Sequence, residues 1–191
     1  TSTRSIAVTI TPTPPAVTIT APTDGATPLT GAALTFTGSA LDATDGNLSA
    51  GLTWTSSRDG VIGNGASFAT STLTLGAHTI TASVTDGGGL VGQAEIDITI
   101  IRLPSVTILL PRPNDGYLAA NAVIFFADAV DLGDGDVSPS LVWTSDRDGQ
   151  IGTGATFTID TLSQGLHTVT AEATNSDGRV GSAQVTFAVA S

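Results

Sequence analysis

The 191-residue sequence predicts an all-β chain: two tandem antiparallel β-sandwiches preceded by one extra N-terminal strand. Three observations predict it. The chain repeats itself, because Leu52-Thr-Trp-Thr-Ser-Ser-Arg-Asp-Gly-Val-Ile-Gly-Asn-Gly65 returns as Leu141-Val-Trp-Thr-Ser-Asp-Arg-Asp-Gly-Gln-Ile-Gly-Thr-Gly154, and Leu75-Gly-Ala-His-Thr-Ile-Thr-Ala82 returns as Gln164-Gly-Leu-His-Thr-Val-Thr-Ala171. The offset, 89 residues in both cases, is too long for a solenoid unit and is the length of an independent domain. Composition is the second observation: only 12% of residues are charged, and Thr, Val and Ala alternate between turns supplied by 22 Gly and 9 Pro. Third, apolar residues recur with period two over short runs, the signature of half-buried strands. The boundaries that follow are an extra strand or linker over 1–13, a first domain over 14–102 and a second over 103–191.

In order along the first repeat, Val17–Thr20 is a short strand closed by a turn at Thr23-Asp-Gly25. Leu34, Phe36 and Gly38 alternate with Thr35, Thr37 and Ser39 in a second strand, and Asp42 opens a polar loop that runs to Ala50. Leu52–Thr55 carries Trp54 inward, and Ser57-Arg-Asp-Gly60 reads as a hairpin turn. Ser67–Thr72 follows with Phe68 inward; Leu75–Ala77 turns the corner into His78–Thr85; Gly87-Gly-Gly89 turns again; and Val91–Ile101 ends the unit with Ile96, Ile98 and Ile100 on one face. The second repeat copies this as Val106–Leu109, Ala122–Ala127, Leu141–Thr144, Thr156–Asp160, His167–Thr174 and Val180–Val189. About seven short strands per repeat, with a Trp buried in the third, fit an immunoglobulin-like arrangement. Trp54, Trp143, Phe36, Phe68, Phe125, Phe157 and Phe187 are therefore core residues. The join, Ile101-Arg-Leu-Pro104, is short and contains Pro, which implies a semi-rigid rod.

Composition excludes several functions. The net charge is −11, the six basic residues are all Arg, and no Lys is present. Nucleic acid and anionic membrane surfaces require a basic patch, so neither is expected as a partner. With no Cys and no Met, disulfides, thiolate metal sites and cysteine nucleophiles are ruled out. No run approaches the roughly 20 apolar residues of a membrane helix. The acidic balance suits an extracellular or cell-surface protein, and a chain that begins at Thr1 rather than Met reads as processed or excised.

Residues before the first repeat belong to neither copy. Ile6, Val8 and Ile10 alternate with Ala7, Thr9 and Thr11, and Pro12-Thr-Pro-Pro15 precedes Val17-Thr-Ile19. This resembles Ile96, Ile98 and Ile100 followed by Arg102-Leu-Pro104 and Val106-Thr-Ile108, within one residue of register. Each repeat already owns a last strand, so one amphipathic strand is left over. Three fates are open to it: the stub of an upstream repeat, an assembly strand that pairs with an open sheet edge of another copy, or a Thr/Pro-rich linker.

Carboxylates recur in one place, between the second and third strands. The first copy holds Asp42, Asp45 and Asn47, and the second Asp131, Asp134 and Asp136. Short oxygen ligands around a Gly turn suit a hard cation such as Ca²⁺. The loop after the sixth strand lies at the same pole and supplies Asp86 in one repeat, Asn175 and Asp177 in the other; a cation beside the Asp131–Asp136 loop would stiffen the join. The alternative is an Asx-type turn in which these side chains bind backbone N–H groups and no cofactor is needed. Arg58-Asp59-Gly60 and Arg147-Asp148-Gly149 read as braced hairpin turns. His78 and His167 stand where related sandwiches place a corner Tyr that bonds the backbone. With one His per repeat and no apolar setting around the carboxylates, no catalytic constellation emerges, and the chain is expected not to be an enzyme. Asn47-Leu-Ser49 is a glycosylation sequon.

Taken together, Gly38-Ser-Ala-Leu-Asp42, Asp45-Gly46, Trp54-Thr-Ser-Ser-Arg-Asp-Gly60, Gly63-Asn-Gly65, Gly76-Ala-His-Thr-Ile-Thr-Ala82 and Thr85-Asp86 resemble the tandem immunoglobulin-like and PKD-like modules of microbial secreted and surface proteins. The resemblance covers about residues 14–191. It implies spacers, adhesive stalks or structural subunits, some of which bind Ca²⁺. The expected function is a non-enzymatic extracellular stalk segment or filament subunit, self-associating head to tail through its N-terminal strand or stacked against adjacent immunoglobulin-like domains. The alternative is an adhesin or a carbohydrate-binding accessory module; sugar platforms need exposed aromatics, and Tyr117 is the sole Tyr.

Overall fold

The computed structural model describes residues 12–191; Ile6, Val8 and Ile10 lie outside the described residues. The chain divides into two compact units between Arg102 and Leu103. The first unit contains β1 (Ala16–Ala21), β2 (Leu34–Asp42), β3 (Gly46–Asn47), β4 (Thr53–Ser56), β5 (Gly60–Asn64), β6 (Ser67–Thr70), β7 (Gly76–Thr85) and β8 (Val91–Ile100). In one of its sheets β1 and β6 flank β2, and β3 pairs with the end of β2; the other sheet runs β5-β4-β7-β8. All these pairings are antiparallel. Ala26 and Leu29 add parallel bridges to Ile98 and Ile101 at the free side of β8.

The second unit repeats the plan with β9 (Ser105–Leu110), β10 (Gly116–Leu118), β11 (Val123–Asp131), β12 (Gly135–Asp136), β13 (Val142–Ser145), β14 (Gly149–Thr153), β15 (Thr156–Ile159), β16 (Gly165–Thr174) and β17 (Val180–Ala190). β9 and β15 flank β11, and the second sheet runs β10-β17-β16-β13-β14. Here the parallel edge is a full strand, β10 on β17.

Alternation fixes which side chains face inward. β2 buries Phe36 and Ala40 while Thr35 and Ser39 face solvent; β11 buries Val123, Phe125, Ala127 and Ala129. In a chain without disulfides, aromatic packing ties the two sheets of each unit. Trp54 is fully buried, with its ring 5.7 Å from Phe36 and 5.8 Å from Phe68, and Phe36 stacks on Phe68 at 5.1 Å. Trp143, Phe125 and Phe157 repeat the cluster, with Phe125 stacked on Phe157 at 4.9 Å. The indole N–H of each Trp is satisfied, Trp54 Nε1 donating to Gly65 O at 2.9 Å and Trp143 Nε1 to Gly154 O at 3.0 Å.

Three kinds of element were not legible in the sequence. β5 and β14 follow the Asp-Gly turns directly, and each carries a bulge: Trp54 pairs with Gly63 and Thr55 with Val61, leaving Ile62 as the extra residue. The bulge turns Ile62 onto the core and breaks the alternation a strand would show. β3 and β12, inside the expected polar loop, are two-residue bridges. β10 and the Ala26 and Leu29 bridges are too short to display a period.

Candidate functional site

At one pole of the first unit, the β2–β3 loop meets the β7–β8 loop. Asp42, Asp45 and Asp86 each place an oxygen within 4.8 Å of the others, the group of three carboxylates in the described residues that is close enough to share an ion. Each is anchored by the local backbone. Asp42 Oδ1 accepts from Thr44 N at 2.8 Å, Thr44 Oγ1 at 2.6 Å and Asp45 N at 2.9 Å. Asp45 Oδ2 accepts from Gly87 N at 2.8 Å, which joins the two loops. Asp86 Oδ1 accepts from Gly88 N at 2.9 Å and Leu90 N at 2.8 Å. Asp42 Oδ2, Asp45 Oδ1 and Asp86 Oδ2 accept none of these bonds. The Thr44 hydroxyl, with the Asp45 and Thr44 amides, holds the Asp42 carboxyl below its ordinary value of 3.8.

The second unit has the same loops and a different charge balance. Asp131 Oδ1 accepts from Gly133 N at 2.9 Å and Asp134 N at 3.1 Å, and these amides lower its pKa. Asn175 stands where the first unit has Asp86. Its Nδ2 donates to Asp131 Oδ2 at 3.2 Å and its Oδ1 accepts from Arg179 N at 2.8 Å. Arg179, in the place of Leu90, adds a cation beside Asp131 and pairs with Asp177 at 3.0 Å. Asp134 Oδ2 accepts from Ser176 N at 2.6 Å, the counterpart of the Asp45–Gly87 bond. An amide and a guanidinium here occupy the ground that the first unit leaves to three carboxylates.

Asn47 and Asp136 stand apart from both groups. Asn47 Oδ1 accepts from Ser49 N at 3.0 Å and Asp136 Oδ1 from Ser138 N at 2.9 Å, each closing an Asx turn that leads into a short 3₁₀ turn. Ser49 and Ser138 complete that turn, with Ala40 N and Ala129 N donating to their Oγ atoms. Asp42, Asp86 and Asp131 close Asx turns too, onto Thr44 N, Gly88 N and Gly133 N, so the Asx-turn alternative and the carboxylate cluster fall partly on the same residues.

The opposite ends of β4 and β7 hold a second recurring constellation. His78 is 2% exposed and His167 fully buried. His78 Nε2 donates to Thr74 O at 2.7 Å, and its Nδ1 lies 2.7 Å from Ser56 Oγ. Ser56 Oγ already accepts from Arg58 N at 3.1 Å and Asp59 N at 3.2 Å, so its own proton goes to Nδ1. That network assigns the neutral Nε2–H tautomer. Ser145, His167 and Ser163 O repeat it at 2.9 and 2.6 Å. Asp59 Oδ2 stands 3.7 Å from His78 Nδ1 and accepts from Thr74 N at 3.0 Å, a bond that lowers its pKa. Serine, histidine and aspartate are neighbours here, yet they cannot do nucleophilic chemistry. Ser56 is 5% exposed and its Oγ is already held by the Arg58 and Asp59 amides, so no substrate carbonyl can reach it. The constellation latches the β4–β5 turn to the start of β7, the corner function expected of these His residues.

Among the described residues neither Trp nor the Tyr forms an exposed platform, although Phe126 is 36% exposed. Both Trp are buried, and Tyr117 is half-buried with its ring edge on Phe187 at 5.7 Å. No helix among the described residues is long and apolar enough to cross a membrane.

No protein-family model matches the chain, and no curated protein matches its sequence. Solved structures match its fold. The insect immune protein hemolin aligns over 91% of this chain and 46% of its own length, at 15% identity and a TM-score of 0.50. Fibronectin(III)-like modules of Clostridium thermocellum CbhA align over 91% of this chain and 94% of theirs, at 15% identity and a TM-score of 0.40. The titin I-band fragment I67-I69 aligns over 93% and 66%, at 15% identity and a TM-score of 0.44. The antiparallel sheets, buried Trp and sandwich core of each unit, together with the hemolin alignment, show an all-β chain of immunoglobulin-like sandwiches.

Proposed function

We propose that the chain is a non-enzymatic extracellular structural protein, a stalk segment or filament subunit, whose copies join head to tail by addition of the N-terminal strand to a sheet of the next copy. One observation carries this reading. Ile6, Val8 and Ile10 repeat the pattern of a last strand, whereas each unit already has its own last strand, β8 and β17, paired along its whole length with β7 and β16. An amphipathic segment that neither repeat accounts for is suited to an open sheet edge of another copy, and a contact of that type propagates when it does not close. The fold supports a structural or adhesive module, and the latched, buried His residues support the absence of catalysis. Buried Trp residues argue against the sugar-binding alternative.

A divalent cation belongs to the same proposal. Asp42, Asp45 and Asp86 offer oxygens from two loops within one coordination sphere, with no Asn or Arg to offset them as in the second unit. An ion of the Ca²⁺ type would tie those loops together in the first unit.

Deletion of residues 1–13 tests the assembly reading. Full-length chains are expected to form filaments or higher oligomers in electron micrographs, and the deletion to leave dispersed particles. Filaments that survive the deletion would refute it.

A further inference from the structure

The Asn47-Leu-Ser49 triplet lies outside the proposed assembly, and the fold gives it a definite setting. It is the single Asn-x-Ser/Thr triplet of the sequence, since Asn64, Asn114, Asn121 and Asn175 are followed two places on by Ala66, Gly116, Val123 and Asp177. Its two polar residues face opposite ways. Asn47 is exposed on β3, and its Oδ1 accepts from Ser49 N at 3.0 Å. That bond uses the carbonyl end of the amide and leaves Nδ2 on the far side, where it donates to no group among the described residues. Ser49 is 8% exposed, its Oγ accepting from Ala40 N at 2.9 Å and donating to Ala40 O at 3.4 Å.

The second unit shows that the turn does not call for Asn. Asp136 occupies the equivalent place and closes the same turn on Ser138 N at 2.9 Å, with a carboxylate that offers no N–H. Either residue serves the fold, and the first unit alone carries the amide nitrogen. The ground beside that nitrogen is open as well. Asn47, Leu48, Ala50, Gly51, Ser83 and Val84 line a hollow of about 510 Å³. In the second unit Pro139, Ser140 and Glu172 stand at the places of Ala50, Gly51 and Ser83. There Ser140 Oγ takes up the space, donating to Val137 O at 2.8 Å and accepting from Thr174 N at 2.9 Å. A sugar on Asn47 Nδ2 meets small side chains and solvent, and nothing in the core has to move for it.

We propose that Asn47 is a site of N-glycosylation. The proposal rests on the extracellular reading of the chain, because this triplet is an acceptor in secreted chains. In the transfer, Asn47 Nδ2 bonds to the anomeric carbon of a sugar carried as a glycosyl diphosphate. The bond from that carbon to the diphosphate oxygen breaks, the diphosphate departs with the electron pair, and one Nδ2 proton passes to a base of the transferase. The folded chain buries the Ser49 hydroxyl against Ala40, so the whole triplet is accessible only before β2 and this turn come together, and the modification precedes folding. The exposed amide nitrogen is where the finished fold leaves the sugar in water.

The test is mass analysis of the full chain from two sources: the cells that make it naturally, and a host that N-glycosylates chains sent through its secretory pathway. Trypsin cuts after Arg4 and Arg58, so residue 47 lies in the peptide 5–58. That peptide is expected at a mass raised by whole sugar residues from both sources. Asn47→Asp installs the second unit's own residue and keeps the turn, so it is expected to fold, by circular dichroism, and to return the peptide to its bare mass. A bare peptide from the wild-type chain of either source overturns the proposal. Sugar that persists in Asn47→Asp sits on a hydroxyl and overturns it too. A bare peptide on natural chains found outside the cell removes the proposal alone, whereas natural chains confined to the cytosol remove the extracellular reading and the proposal with it.

Discussion

Gly63 provides the sharpest test of the packing that replaces a disulfide in this fold. An ideal Cβ built on Gly63 stands 2.6 Å from Phe68 Cζ and nearer still to two other atoms of the ring. Carbon atoms settle at about 3.5–4.0 Å, so Gly63→Ala must move the ring by roughly 1 Å. Phe68 has nowhere to go without cost, because it stacks on Phe36 at 5.1 Å and lies 5.8 Å from Trp54. Overpacking of this kind costs about 1–3 kcal/mol, and disturbing one aromatic pair about 0.5–1.5 kcal/mol more. A total near 2–4 kcal/mol, divided by an m-value of about 2 kcal/mol/M, lowers the urea midpoint of the first unit by about 1–2 M. The assay is urea unfolding followed by Trp54 fluorescence in a Trp143→Phe background. Gly63→Ala combined with Phe68→Leu is expected to recover part of the loss, because the smaller side chain frees the space. A midpoint within about 0.2 M of the parent would show that Phe68 does not pack on Gly63, and the account of the inter-sheet cluster would fail with it.

Two further outcomes are expected. Millimolar Ca²⁺ should raise the melting temperature by roughly 5 °C, and chelator should reverse the rise. Asp86→Asn should remove the response while leaving the fold intact, since Asn175 already fills that position in the second unit; a response that persists in Asp86→Asn would exclude the Asp42, Asp45 and Asp86 site. On acidification, Asp42, Asp59 and Asp131 have folded-state pKa values below the ordinary 3.8, so the stability they contribute is present above that value and lost as pH falls through the folded ones. Calorimetry should find the melting temperature steady from pH 7 to 5 and falling below about pH 4; equal melting temperatures at pH 7 and pH 3 would contradict the hydrogen bonds assigned to these carboxylates.

Much of the fold could be read from the chain because its signals are local. Alternation at Leu34–Ser39 and Ile96–Ile100, the Asp-Gly turns and the Trp of the third strand each need only neighbouring residues to be recognised. β5 and β14 were hidden because a bulge at Ile62 and Ile151 spoils the period, and β10 because three residues display none. Phe126 was obscured by its neighbour. Phe125 and Phe126 are adjacent, and only the register of β11 on β15 shows that the first is buried and the second faces out. The acidic pole was legible as residue types and loop positions, whereas its partition was not. Asp42, Asp45 and Asp86 converge, while Asn47 and Asp136 turn away to bond Ser49 N and Ser138 N.

By itself the sequence determined the duplication, the strand class and the inward aromatic set, because periodicity and repetition are properties of a chain before it folds. Tertiary structure alone decided that a buried serine and histidine, with a part-exposed aspartate beside them, form a latch rather than a triad. It alone decided that three carboxylates share one pole of the first unit, and that Phe125 is buried while Phe126 faces out. Those are matters of what two distant segments do when they meet. They depend on register and on which atoms are left free after the backbone has taken its bonds, and neither quantity is written in any stretch of neighbouring residues.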